Sequence, residues 1–379
     1  MIEAAFFYSY LSIIVLVAVL VSFIFITEAF SKIYHPKLDL SLLVFCLGLL
    51  IVLMGTRDFT TGTDTIRYVR DFQKLQELNA FDFEFIVARS TVGRDPIFVV
   101  FSYLVGRAFS ASSYIFILAF LFYFLFYSFI KRITDKYFLL HLLVFLCFLF
   151  FLSLAVNILR TGLSVMLVLY GLSFLFNNAR FMSFKDINKG NAFLALLFIF
   201  LGVAFHAASI ILVASVVIVA CFRGGISVYI LGLLASLVLA YLGYSLENLP
   251  LIGQYLAASG RTDLYYSDNA TQPPSGVNTY VVVFTMLILS YYMLQPREIK
   301  MSATYSTVAK IYLVLAMFYS FCLNIAYSDR FGIYSWIFIP LLLIYPVVVR
   351  RKLYSKQGFY MALFGVMYFL LMLYRISVY

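Results

Sequence analysis

The feature that most constrains this chain is a succession of apolar runs, each continuous over 16–20 residues and separated by short polar connections. A helix at the surface of a soluble domain keeps one polar face, whereas a run that is apolar all round must meet apolar surroundings on every side. Lipid offers no partner to a backbone amide or carbonyl, so a chain in lipid is either helical or a closed barrel. Barrel strands alternate outward and inward residues, and these runs do not alternate. Their length suits helices, since about 20 residues cross about 30 Å of hydrocarbon. Composition agrees, with 64% hydrophobic and 12% charged residues, where a soluble domain carries about 25% charged. The expected fold class is an all-α polytopic membrane protein, with residues 1–379 forming one transmembrane domain.

The formal net charge of +10 does not point to nucleic acid. No run of five or more like charges exists, and no basic helix carries interleaved aromatics. The excess is the kind that inner loops carry to fix orientation. Cys46, Cys147, Cys221 and Cys322 each fall within an apolar run and show neither metal-ligand nor Cys-x-x-Cys spacing. The first run follows no basic region and precedes no small-residue cleavage site. It is therefore expected to be a permanent span rather than a removable signal.

Windows of about 19 residues place spans near 6–27, 38–55, 113–130, 137–156, 158–176, 190–206, 207–223, 226–244, 279–294, 308–326, 331–349 and 359–375. Segment 96–111 is also apolar, but it opens at Pro96 and contains Gly106 and Arg107. Charge decides its status. If it does not cross and the N-terminus is outside, sixteen of the 27 basic residues fall on the inner side, including every clustered group. If it crosses, the clusters at 131–136, 180–189 and 350–356 move outside, against the positive-inside rule. The segment is therefore expected to be a re-entrant or surface-lying helix on the outer side, leaving twelve crossings. Two loops, 56–95 and 245–278, then dominate the outer face.

Under this topology the unclustered charges gather at the outer boundary. They are Arg57, Asp58 and Asp64 after the second span, Arg160 between the fourth and fifth, His206 between the sixth and seventh, and Asp329 and Arg330 between the tenth and eleventh. Arg261 lies in the second large loop. Arg160 interrupts 40 otherwise apolar residues, with Asn157 as its polar neighbour. An arginine in the apolar zone costs about 2.5–3.5 kcal/mol on insertion scales. It is either a helix-end residue reaching to the headgroups or part of an anion site; Asn157 reads as the cap of the fifth span. Arg330 beside Asp329 reads as an internal ion pair or a second anion contact. The loop from Gly55 to Tyr68 joins Arg57, Gly62, hydroxyls and Asp64; it is either a solvated turn or an anion cradle with Asp64 as a base. His206 splits a 31-residue apolar run and is either structural or a contact to substrate. The chain lacks a P-loop, a Gly-x-Ser-x-Gly elbow, a His-Glu-x-x-His pair and a dinucleotide glycine pattern. Asp82-Phe-Glu84 has metal-pair spacing but sits in a mixed-charge loop, so no metal and no other cofactor is expected. The spans are nearly free of acids, which weighs against an ion-coupled transporter.

At these residues the chain resembles a known family, the EpsG/Wzy-type polysaccharide polymerases of bacterial inner membranes. The resemblance rests on Arg57…Gly62-Thr-Asp64…Tyr68, Asp95-Pro96-Ile-Phe, Asn157-Ile-Leu-Arg160-Thr-Gly-Leu, His206 followed by small residues, and Asp329-Arg330-Phe. The sequence departs from the family's pattern at Asp95, where Glu is frequent, at Thr161, where Gln is frequent, and at Ser209, which stands further from the histidine.

The resemblance implies a GT-C-like glycosyltransferase of the inner membrane whose active site faces the periplasm. It would transfer a growing glycan from undecaprenyl pyrophosphate onto the next lipid-linked repeat of O-antigen or a related surface polysaccharide. Membrane lipid and a chain-length regulator are the other partners it implies. Arginine's planar fork suits pyrophosphate, so Arg57, Arg160 and Arg330 are expected to bind it, with Arg261, Asn157, Tyr68 and Asp329 as further contacts. Asp64, then His206, are the expected bases. A flippase of lipid-linked glycans and a ligase joining finished O-antigen to lipopolysaccharide core are the alternatives.

Overall fold

The computed structural model describes residues 4–62, 64–78, 95–177, 180–181, 188–222, 224–248, 277–323 and 328–350. The regular elements of the described chain are helices except for one short antiparallel pair, Phe176–Asn177 with Arg180–Phe181. It divides into two compact units, Met1–Ile210 and Ile211–Tyr360.

In the first unit, α1 (Ala4–Ser31) packs on α2 (Pro36–Gly55), and α2 packs on α5 (Ala111–Ile133). Between them the chain forms α3 (Thr65–Gln76) and α4 (Pro96–Gly106). α3 buries Tyr68, Val69, Phe72 and Leu75 and exposes Arg67, Arg70 and Lys74, the one-sided stripe of an amphipathic helix. Its buried face stacks Phe72 on Tyr114 of α5, ring centres 4.2 Å apart, and meets α4. Eleven residues in length, α4 is only about 17 Å long at about 1.5 Å per residue and falls short of the hydrocarbon thickness. Pro96 starts it, at the first helical position, where a missing N–H costs nothing.

The run expected to form one span over 137–156 is broken. α6 (Phe138–Leu146) and α7 (Leu149–Val156) are bent by 88°. The bend frees backbone carbonyls, and the buried Tyr10 hydroxyl of α1 donates to that of Leu146 at 2.9 Å. α8 (Leu159–Ser173) then pairs closely with α9 (Lys189–Phe205). Small residues permit the approach: a Cβ at Gly202 would come within 2.6 Å of Val168 Cγ2, and one at Gly171 within 2.9 Å of the Ala195 carbonyl. At the far end of α2, Asp39 is fully buried and accepts from Tyr34 Oη at 2.5 Å and from the amides of Phe138 and Leu139 at 2.6 and 3.0 Å. It thereby satisfies the N-terminus of α6 from a neighbouring helix.

In the second unit, α10 (Ile210–Cys221) and α11 (Ile226–Tyr241) are followed by α12 (Val277–Leu294), the single turn α13 (Arg297–Lys300), α14 (Ala303–Ser320), α15 (Asp329–Trp336) and α16 (Ile339–Arg350). α14 packs on α11, α15 and α16. A ladder of Tyr292, Tyr305 and Tyr345 stacks rings 5.4 and 5.3 Å apart.

Among the described residues four helices are long and apolar enough to cross a membrane: Ala5–Ser31, Pro36–Gly55, Ala111–Ile133 and Arg330–Val349. The bent pair α6–α7 makes five if it counts as one span. Other expected spans appear as shorter apolar helices, among them α8, α9 and α11, because polar breaks divide the apolar runs. The expected span 359–375, most of loop 245–278 and Arg261 lie outside the described residues.

Candidate functional site

Three helix ends converge in the first unit. Asp95 stands at the N-cap of α4 but gives no side-chain cap to its own helix. Its carboxylate reaches two other segments instead. Oδ2 accepts from Arg160 Nη1 and lies 3.1 Å from His206 Nδ1, while Oδ1 accepts the Ala207 amide at 3.0 Å. Arg160 is the second residue of α8, after the non-helical Ile158. His206 ends α9 in extended conformation, and Ala207–Ser209 forms a 3₁₀ turn leading to α10. The Asp95 side chain is 5% exposed, and those of Arg160 and His206 are 20% exposed.

Burial alone would push the Asp95 carboxyl upward. The His206 hydrogen bond, the Arg160 charge and the Ala207 amide outweigh it, and hold the group below the usual carboxylate range. The acid is therefore ionised at neutral pH and gives the Arg160 guanidinium a partner within the fold. Arg160 Nε is buried and has no hydrogen-bond partner among the described residues.

A hydroxyl layer supports this cluster one turn further along α8. Ser164 Oγ lies 2.5 Å from both the Gly202 carbonyl oxygen and Ser209 Oγ. Both serines are fully buried. Together they tie α8 to the point where α9 gives way to the 3₁₀ turn, which fixes the backbone that carries His206.

The loop after α2 builds a second cluster around the Val156 carbonyl, which the end of α7 leaves without a helical partner. Arg57 is buried and donates to this oxygen at 2.9 Å through Nη2 and to the Met54 carbonyl through Nη1. Thr65 Oγ1 donates to the same Val156 oxygen at 2.7 Å. Burial lowers the Arg57 pKa to about 10, which leaves it charged at neutral pH. Gly62 has φ +98°, a left-handed conformation that glycine adopts without steric cost. The Asp64 amide donates to Asn157 Oδ1 at 2.9 Å. Asn157 thus stitches the loop to the α7–α8 junction, where it was expected to cap the following helix; that helix is instead preceded by Ile158. The Asp64 carboxylate is 3.5 Å from the exposed Arg67.

Aromatic rings join the two clusters. Tyr68 meets Phe98 edge to face at 5.8 Å, and Phe98 meets Phe205, the neighbour of His206, at 6.0 Å. The first unit therefore brings Arg57, Asp64, Tyr68, Asn157, Arg160 and His206 into one continuous region. Arg330 belongs to the second unit, near the start of α15 on an exposed position, with Asp329 as the first residue of that helix.

The family model for the EpsG family matches residues 40–379. The chain belongs to the EpsG family. That family is associated with polysaccharide polymerisation, a glycosyltransferase-type role, and its apolar helices mark this member as a membrane protein. Neither characterised proteins nor solved structures give a match.

Within this EpsG-family protein, the residues that reasoning on pattern left out of the site are Asp95, Ser164 and Ser209. Each carried a signal. Asp95 precedes a helix-starting proline, Ser164 stands four residues after Arg160 on one helical face, and Ser209 follows His206 by three. The partner of Arg160 lies 65 residues away in sequence.

Proposed function

We propose that this protein is an inner-membrane glycosyltransferase that polymerises undecaprenyl-pyrophosphate-linked oligosaccharide repeats on the periplasmic face, building O-antigen or a related surface polysaccharide. The observation that carries this reading is the Asp95–Arg160–His206 cluster, a charged and proton-accepting group held together between apolar helices of a polysaccharide-polymerase family member. Arg160 offers its guanidinium to the pyrophosphate leaving group, whose developing charge is the main electrostatic task of the reaction. Arg57 adds fixed positive charge nearby. Arg330 and Arg261 are kept as proposed substrate contacts on the family resemblance alone. His206 is favoured over Asp64 as the base, because it shares the carboxylate that holds Arg160, whereas Asp64 faces Arg67. A twelve-crossing, GT-C-like arrangement, with α4 on the periplasmic side and a chain-length regulator as partner, completes the proposal.

The test is glycan length in cells whose only copy carries Arg160→Ala. Single repeats or very short chains, at normal protein level, are expected. Long chains of wild-type distribution would sink the assignment, and finished polymer left on its lipid carrier would point to the ligase instead.

A further inference from the structure

Asp95 contacts both Arg160 and His206, and its geometry says what it does to the imidazole. The ring nitrogen facing the carboxylate is Nδ1, at 3.1 Å. A carboxylate that also accepts an arginine N–H and a backbone amide is an acceptor at every contact. A neutral imidazole beside such a group must place its proton on the facing nitrogen. The basic lone pair is then on Nε2. Two further observations make the arrangement rigid. Ala207, next in sequence, donates its amide to the other carboxylate oxygen at 3.0 Å, so ring and backbone are held by one group. Ser164 Oγ donates to the carbonyl of Gly202, one turn before the ring, and is itself held by Ser209 Oγ.

From this geometry we infer that Asp95 is a positioning residue that fixes His206 in the Nδ1–H tautomer, so that Nε2 accepts the proton of the attacking sugar hydroxyl. The inference rests on the proposed glycosyl transfer. The acceptor oxygen forms a bond to the anomeric carbon as the bond from that carbon to the pyrophosphate oxygen breaks. The electron pair leaves on pyrophosphate beside Arg160, and the hydroxyl proton passes to Nε2. Asp95 touches no reacting atom; it orients the base and stabilises the imidazolium that forms, the division of labour seen in acid–histidine pairs generally. Asp95, from the start of α4, faces the ring and holds Arg160, from α8, on the same carboxylate oxygen.

The chain contains only three histidines, which makes a direct reading of the tautomer practical. The full-length protein, labelled with 15N-histidine and reconstituted in lipid nanodiscs, is compared with His206→Gln so that the missing signals identify His206. The expected wild-type spectrum shows a protonated Nδ1 and a lone pair on Nε2. A proton on Nε2 instead overturns the inference, whatever the variants do. In Asp95→Asn the midpoint for protonating His206 is expected to fall by about one pH unit, since an opposite charge within ~4–6 Å is lost. An unchanged midpoint also overturns it. Neither reading needs substrate, so they are separable from the polymerase assignment, which the Arg160→Ala glycan lengths decide. In cells, Asp95→Asn should shorten chains at normal protein level, and Asp95→Glu should restore them in part.

Discussion

Asp95 holds three donors and Arg160 contributes only one of them, so the two residues should differ in how much their loss costs. In Asp95→Ala the Arg160 guanidinium, the Ala207 amide and His206 Nδ1 all lose their acceptor. Breaking a buried pair by deleting one partner costs about 3–5 kcal/mol. The 20% exposure of Arg160 and His206 admits some solvent, which favours the lower end, about 3 kcal/mol. In Arg160→Ala the carboxylate keeps two donors, so about 1–2 kcal/mol is expected, the worth of one charged hydrogen bond with some desolvation. The double variant has neither an unpaired guanidinium nor an unpaired acid, and should be about 1–2 kcal/mol more stable than the sum of the single losses implies. Thermal unfolding of the full chain in detergent reads this directly, with about 2 °C per kcal/mol for a large chain. Asp95→Ala should therefore lower Tm by about 6 °C and Arg160→Ala by about 2–4 °C. Equal losses, or a strictly additive double variant, would refute the claim that one carboxylate organises the cluster.

Two further predictions concern charge elsewhere and pH. Asp39→Ala should lower Tm by more than Asp39→Asn, because the alanine leaves the Phe138 and Leu139 amides unpaired in a buried site at about 1–3 kcal/mol each, whereas the amide oxygen of asparagine can still accept; equal losses would contradict the helix-capping role. Asp95 titrates below its unfolded value, so its stabilisation is complete above the ordinary carboxylate range and disappears only as pH falls through the lower folded pKa. Comparing the unfolding of wild type with Asp95→Asn, the stability difference should grow as pH falls from 7 to about 5, because protonated His206 gains from the Asp95 charge, and shrink below about 4; a difference that shrinks between pH 7 and 6 would show that another group carries it.

Apolar continuity made the helical class readable, because nothing but helix suits such runs in lipid. His206 was readable as a break, since it was the polar residue inside a 31-residue run, and α9 does end there. The brevity of α4 followed from Pro96 and Gly106 in the same way. Breaks made by packing were not readable. The 88° bend between α6 and α7 has no proline or glycine at Cys147 or Phe148, and it depends in part on Tyr10, 136 residues from the carbonyl it satisfies. Pattern also misassigned the contacts of Asn157, because an asparagine before a helix looks like a cap, whereas here its acceptor is claimed by the Asp64 amide. Candidates for the site were visible as costly charges, but their pairings were not, since those depend on which helix ends meet.

Those meetings also explain why charge is tolerated in so apolar a chain. Each polar group of the cluster sits where a helix starts or stops: Asp95 before α4, Arg160 in the first turn of α8, His206 after the last residue of α9. Helix ends carry backbone donors and acceptors that need partners in any case, so a charged side chain there satisfies groups that would otherwise be orphaned. Arg57 illustrates this from the acceptor side, its guanidinium serving the Met54 and Val156 carbonyls. The consequence is that Arg57, Arg160 and Asp95 are groups the fold itself needs. Removing Arg57 would therefore damage backbone satisfaction as well as charge, whereas Arg160, whose partner is a side chain, is the arginine that the proposed pyrophosphate substrate would share. That difference makes Arg160 the sharper probe of chemistry and Arg57 the sharper probe of architecture.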